Sequence, residues 1–258
     1  MPELPEVETL CRQLKPVILN EQIISVEIRD SKLGSVSGLV GKKVASVDRH
    51  GKALVITLDD GDTLLLHLRM TGRLQWQKEQ CALPPHTRFV MSFSTGQLLC
   101  IDPRRFATLT LKNSGICAAL INDPRDCGIS QLWEISRKRK LSVKSFLMDQ
   151  RVLMGIGNIY ACEILHEAAI DPRRSACSMS RKELERIAAV GKKILNRAIT
   201  CRGTTVSDWR DLFGRKGEYQ HELKVYSREG LPCPRCQSVI QRMLLSGRGT
   251  YFCSSCQK

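Results

Sequence analysis

Apolar residues recur along this chain with three successive rhythms. At the start, Leu4, Val7, Leu10 and Leu14 fall three or four apart, the spacing of one helical face, and Pro16 is expected to close that run. Pro5 sits in the first turn of this predicted helix, where a missing N–H is no loss. From Gln22 to Lys112 the texture becomes strand-like. IISVEI, ALVITL, TLLLHL and FATLTL are short runs rich in Val, Ile, Leu and Thr, and Asp59-Asp60-Gly61-Asp62 reads as a hairpin turn. Short strands with close turns and no helices between them predict an antiparallel sandwich.

After about residue 114 the helical rhythm returns. Two helices are expected near 142–150 and 158–168, joined by the turn-forming GIGN at 155–158. Ser180 and Glu183 have capping-box spacing, and Leu184, Ile187, Ala188, Gly191, Ile194, Leu195 and Ala198 then line one face. In the last segment VIQRMLL and GTYFC read as strands around Ser246-Gly247-Arg248-Gly249, a hairpin whose tip carries an arginine. The expected fold class is therefore α+β: an N-terminal helix plus an antiparallel β-sandwich lobe (1–113), a linker (114–135), a helical lobe (136–222) and a small C-terminal module (223–258).

Charge narrows the partners. Forty Lys and Arg face 26 Asp and Glu, a formal net charge of +14. A self-repelling excess of this size suits a polyanion, and nucleic acid is the commonest, because neutralised phosphates release counterions. No apolar run approaches the ~18–20 residues of a membrane span. The opening MPELPEVETL is acidic and unlike a signal peptide, so a cytoplasmic protein is expected.

In that compartment the 12 cysteines read as thiols or metal ligands. Eight, Cys117 among them, are scattered without ligand spacing and read as small core or surface residues. Cys233 and Cys236 form one CxxC, Cys253 and Cys256 a second, with sixteen residues between. Two such knuckles complete a tetrahedral four-thiolate site with no open position, which predicts one structural Zn2+ ion.

Pro2 follows Met1, and a small second residue favours removal of the initiator. Removal leaves a secondary amine at a helix start, where the helix field and nearby cations disfavour its protonated form. Such an amine can attack a sugar C1′ to give an iminium. With Met1 attached, the Pro2 nitrogen is a tertiary amide and cannot attack. Glu3 and Glu6 lie in the same first turns and could move protons, though acidic residues at a helix start are also ordinary capping chemistry.

PELPEVETL at the start, HLRMTG at 67–72, DPRRF at 102–106, GIGNIYA at 155–161, QHELKVY at 220–226 and the terminal four-cysteine finger occur in this order. Together they resemble the formamidopyrimidine-DNA glycosylase family, which also includes endonuclease VIII, over essentially the whole chain. The resemblance implies a helix-two-turn-helix in the helical lobe and a zinc-finger hairpin at the end. It implies a bifunctional glycosylase/lyase acting on double-stranded DNA with oxidised bases, as a monomer and without a catalytic cofactor.

By the same resemblance Pro2 is the Schiff-base nucleophile, Glu3 the acid/base for opening the sugar ring, and Glu6 a second acid that arranges the lesion pocket. Lys52 resembles the hairpin-tip lysine that contacts phosphate and assists elimination. Met70, Arg104 and Phe106 match the side chains that fill the gap left by a flipped nucleotide. Asn158 matches a phosphate-gripping asparagine, Arg248 the zinc-finger arginine and Tyr226 a DNA-side tyrosine before it. PELPEVE and the full-length stretch Thr204–Tyr219, which in the purine branch folds over the flipped base, resemble the oxidised-purine branch. The chain departs from the family at Arg69, where many members have glycine, at Ala107, and at NDPRDCGIS (122–130). Two other readings stand beside this one: an endonuclease VIII-like glycosylase of oxidised pyrimidines, and a non-catalytic zinc-ribbon DNA-binding protein.

Overall fold

In a computed structural model, residues 1–34, 36–79, 81–112 and 123–258 are described. Cys117 and the start of the expected linker lie outside them. The chain divides into two compact units, Met1–Ala119 with Ile199–Gln220, and Leu120–Ala198 with His221–Lys258.

In the first unit, among the described residues, helix α1 (Leu4–Ile18) precedes eight strands: β1 (Ser25–Ile28), β2 (Val44–His50), β3 (Ala53–Leu58), β4 (Thr63–His67), β5 (Arg73–Gln77), β6 (Thr87–Phe93), β7 (Gly96–Ile101) and β8 (Thr108–Lys112). They form two antiparallel sheets of four, β1-β6-β7-β5 and β2-β3-β4-β8. The expected sandwich is present. One core joins α1 (Leu10, Leu14) to both sheets (Ile56 and Leu66 from one, Phe89 and Leu98 from the other).

Pro16 does not end α1. It sits inside the last turn, where its ring removes a backbone donor. Ile18, fully buried two residues on, holds that turn against the core, and Leu19 N–H closes the helix on Lys15 O at 3.0 Å. Packing here overrides the local preference.

The segment 199–220, which the sequence reading places in the helical lobe, belongs to this unit. Trp209 and Leu212 enter its core. Gln13 of α1 grips it twice, donating to Asp211 Oδ2 at 2.8 Å and accepting from Leu212 N–H at 3.0 Å.

The second unit carries α2 (Ile129–Arg137), α3 (Val143–Met148), α4 (Asn158–Glu167), most of α5 (Arg181–Thr200), and the hairpin β9 (Gln241–Leu245) and β10 (Arg248–Phe252). The capping box of α5 has both limbs: Glu183 N–H donates to Ser180 Oγ at 3.2 Å, and Ser180 N–H to Glu183 Oε2 at 2.7 Å. The expected face of α5 is the buried one. Among the described residues, no helix is long and apolar enough to cross a membrane.

The β9–β10 register pairs Leu245 with Arg248, so the hairpin tip is only Ser246-Gly247. Both have positive φ (+50° and +71°), the geometry of a type I′ turn. Arg248 is thus the exposed first residue of β10 rather than the tip itself.

Candidate functional site

The first turn of α1 is built around two buried carboxylates. Glu3 is its N-cap, and a capping box joins it to Glu6, with Glu3 N–H donating to Glu6 Oε2 at 2.8 Å. Both are 2% exposed, and Pro2 is buried beside them in sequence. The second oxygen of Glu6, Oε1, accepts from Thr204 N–H at 2.7 Å. Gly203 makes this approach possible: its φ is +80°, and a Cβ there would stand 2.6 Å from Glu6 Oε1. A buried carboxylate taking two N–H donors is a firm anchor. It ties the N-terminus to the start of the 203–217 segment.

Lys52 belongs to the two-residue turn Gly51-Lys52 between β2 and β3, where Gly51 supplies the positive φ (+59°). It is 8% exposed, so it does not project freely from the tip. Arg49 fixes the turn, donating Nη1 to Gly51 O at 2.9 Å and Nε to Glu8 Oε2 on α1 at 3.0 Å. Nothing in the sequence around Arg49 marks it as a brace.

His67, at the end of β4, lies inside HLRMTG with no role that the motif assigns it. Its Nδ1 accepts from Arg69 N–H at 3.0 Å, leaving Nε2 as the donor of the neutral ring. Burial, helped by the charges of Arg69 and Lys52, pushes its pKa down to about 4.

Met70, Arg104 and Phe106 lie on two loops of the same unit. Met70 is 50% and Phe106 47% exposed, and the Arg104 guanidinium stands 4.7 Å over the Phe106 ring. Asp102, fully buried, joins the loops by accepting from Thr71 Oγ1 and from the N–H groups of Arg104, Phe106 and Ala107. Burial works to raise the pKa of this carboxyl, but those bonds outweigh it and hold it below the ordinary range. Arg69 adopts φ +56°, a left-handed conformation that glycine takes without strain.

In the second unit Asn158 opens α4. Gln150 braces the turn before it, accepting Gly155 N–H at 2.9 Å and donating to Ile156 O at 2.8 Å. Asn158 Nδ2 donates to Gly249 O on β10 at 2.9 Å, which brings Asn158 and the Arg248 strand together. Lys144, 1% exposed, adds bonds to Gly249 O (3.1 Å) and Thr250 Oγ1 (2.7 Å). Tyr226 meets Tyr251 edge-on at 5.0 Å. Its segment is held by Glu163, which accepts the N–H groups of Lys224, Val225 and Tyr226. Burial pushes the Glu163 carboxyl above its usual range despite these donors.

The sulfurs of Cys233, Cys236, Cys253 and Cys256 lie within 4.8 Å of one another. The separations Cys233–Cys256 (3.8 Å) and Cys236–Cys253 (3.4 Å) suit a tetrahedron of Zn–S bonds of about 2.3 Å. The four fit one structural zinc ion. His166 Nε2 sits 3.4 Å from Cys233 Sγ, the place of a supporting donor.

Comparison with known proteins agrees along the whole chain. Family models match in three consecutive stretches: the formamidopyrimidine-DNA glycosylase N-terminal domain over residues 1–109, the formamidopyrimidine-DNA glycosylase H2TH domain over 122–209, and the zinc finger found in FPG and IleRS over 230–258. The formamidopyrimidine-DNA glycosylase of Desulforamulus reducens is 40% identical, covering 100% of this chain and 99% of that protein. Among solved structures, a Lactococcus lactis FPG mutant in complex with a Fapy-dG containing DNA superposes with a TM-score of 0.92 at 31% identity. MutM in complex with carbocyclic 8-oxo-G containing DNA gives 0.90 at 32%. Each covers 100% of both chains.

Proposed function

The chain belongs to the formamidopyrimidine-DNA glycosylase family of DNA-repair enzymes, and on that premise we propose that it excises oxidised purines, 8-oxoguanine and formamidopyrimidines, and then cuts the strand. The observation that carries this reading is the Glu3–Glu6–Thr204 anchor, which sets the N-terminus and the 203–217 segment around one spot. Relatives with Fapy-dG and 8-oxo-G DNA support the choice of purines.

Once Met1 is removed, the Pro2 nitrogen attacks C1′ while the C1′–base bond breaks, and the base leaves with the electron pair and takes up a proton. Glu3 gives a proton to O4′ as the C1′–O4′ bond opens, leaving an iminium. The iminium makes the C2′ hydrogen acidic, so its removal expels the 3′ phosphate. A second elimination expels the 5′ phosphate, and water frees Pro2.

Glu6 holds Glu3 and the 203–217 segment in place, and that segment covers the everted base. Lys52 and the Nε2–H of His67 give the phosphate beside the reacting sugar a cation and a neutral donor. Met70, Arg104 and Phe106 fill the vacated space, an apolar wedge in place of lost stacking with a guanidinium for the widowed cytosine. Asn158 keeps a second Nδ2 hydrogen for a backbone phosphate, next to Arg248, while Tyr226 lines the DNA side. Cys233, Cys236, Cys253 and Cys256 would hold the zinc ion that fixes the module carrying Arg248. The enzyme acts as a monomer on duplex DNA and needs no catalytic cofactor.

Excision from 8-oxoguanine:cytosine and thymine glycol duplexes, compared under identical conditions, tests the reading. Faster release of 8-oxoguanine with strand nicking is expected. Preference for thymine glycol would move the enzyme to the pyrimidine branch, and salt-sensitive binding without nicking would make it a DNA-binding protein.

A further inference from the structure

We propose that Asp102 is a positioning residue that makes the Met70 and Arg104–Phe106 loops one rigid inserting unit, with Thr71 as the link between them. The inference rests on the gap-filling reading of those three side chains given above.

Oδ1 of Asp102 accepts Thr71 Oγ1–H at 2.5 Å and Arg104 N–H at 3.2 Å. Oδ2 accepts the N–H groups of Phe106 and Ala107, each at 2.7 Å, and lies 3.4 Å from Arg88 Nη1. A single carboxylate, 0% exposed, thus fixes three of the five residues that follow it and reaches the neighbouring turn. That turn is itself closed, with Gly72 N–H on Leu68 O at 3.0 Å and no room for a Cβ on Gly72, which would meet the same oxygen at 2.4 Å.

Arg88 and Asp30 form the support behind. Arg88, 2% exposed, donates to Ala107 O at 2.8 Å and to Asp30 Oδ2 at 2.7 Å. Asp30 in turn takes both Nε (2.8 Å) and Nη2 (2.5 Å) of Arg105. The backbone of 102–107 is therefore tied from beneath, while Met70 and Phe106 are left about half exposed above it.

This combination is what insertion requires. Apolar side chains in water on a mobile loop would turn inward, whereas on a fixed loop they stay presented. A wedge that replaces stacking must also resist the returning base, so its stiffness is part of its action. Thr71 touches neither substrate nor reacting atoms in this scheme. Its hydroxyl registers Met70 against the Arg104–Phe106 pair.

The test compares Thr71→Val, Asp102→Asn, their double variant and Met70→Ala. Base eversion is read from 2-aminopurine next to 8-oxoguanine in a duplex, together with excision. A control reaction is borohydride trapping on a single-stranded oligonucleotide that already carries an abasic site, which needs neither eversion nor gap filling. Thr71→Val is expected to lower duplex excision and the fluorescence rise by about 10-fold, the order set by losing a hydrogen bond to a charged group, with trapping on the single strand within about two-fold. The double variant should be no worse than Asp102→Asn, because both break the same link. Thr71→Val with wild-type eversion, or with equal losses on both substrates, overturns the proposal. Met70→Ala with wild-type eversion overturns the gap-filling reading itself, and the positioning role with it.

Discussion

Glu6 accepts the backbone N–H of Thr204 at 2.7 Å, a bond between residues 198 apart in sequence. It turns a helix-capping carboxylate into a fixture for the site. Oε2 holds Glu3 by its N–H, and Oε1 holds the segment that follows Gly203, so one side chain sets the proposed proton donor against the proposed cover of the lesion.

Gly203→Ala tests that fixture. The added methyl would meet Glu6 Oε1 at 2.6 Å and Cγ at 2.8 Å, in a backbone at φ +80°. Left-handed strain of about 1–2 kcal/mol adds to the overlap. We expect Tm to fall by roughly 4–8 °C, and release of 8-oxoguanine to fall more than cleavage at a preformed abasic site. Differential scanning fluorimetry and parallel nicking assays measure both. Equal activity losses on the two substrates would mean the segment does not act on the base.

Arg69→Gly should stabilise the protein. Arg69 is exposed with φ +56°, and glycine relieves about 1–2 kcal/mol of strain while losing about 0.5–1 kcal/mol to unfolded-state freedom. A Tm rise of roughly 1–4 °C is expected. A fall would show that the arginine side chain stabilises the turn by more than its backbone costs.

Much of the fold was readable because its signals are local. The period of α5, the Ser180–Glu183 box and the two CxxC knuckles each lie within a few residues, and the structure repeats them. The braces were not readable. Glu8–Arg49–Gly51, Thr71–Asp102 and Glu163 with the Tyr226 segment are side-chain bonds across 31 to 63 residues, or with backbone groups, and such bonds leave no periodic trace. Pro16 misled for the converse reason, since the buried Ile18 outweighs a local rule. Arg69 was visible as a departure, but its cause, a positive φ, is visible only in the backbone.

Acid should weaken the fold in a window set by His67. Its folded pKa is about 4, below the ordinary 6.5, because burial and nearby cations disfavour the charged ring. Between those values the unfolded chain binds the extra proton, so stability falls as pH drops from about 6.5 to 4. After allowance for solvent around a partly buried ring, the contribution is on the order of 1 kcal/mol. Urea midpoints from pH 4 to 8 should slope less in His67→Gln than in the wild type. An unchanged slope would place the effect on other groups.

Zinc removal should weaken DNA binding. Chelation, or Cys236→Ser, frees the strand that Lys144 and Asn158 hold at Gly249 and Thr250, so Arg248 loses its mounting. Affinity for duplex DNA should drop at least about 10-fold and return when zinc is added back to chelated protein. Arg248→Ala with zinc retained should instead lower the slope of log affinity against log salt by about 1. Fluorescence anisotropy across a salt series distinguishes the two. Full affinity without metal would contradict a structural role for the site.

The proposed chemistry turns on one bond, from the Pro2 nitrogen to C1′ of the damaged nucleotide. Borohydride trapping on an 8-oxoguanine duplex, followed by peptide mass spectrometry, addresses it directly. A DNA-derived adduct is expected on an N-terminal peptide that begins at Pro2, with none formed by protein that retains Met1. An adduct mapped to a lysine, or full strand cleavage by the Met1-bearing form, would contradict it.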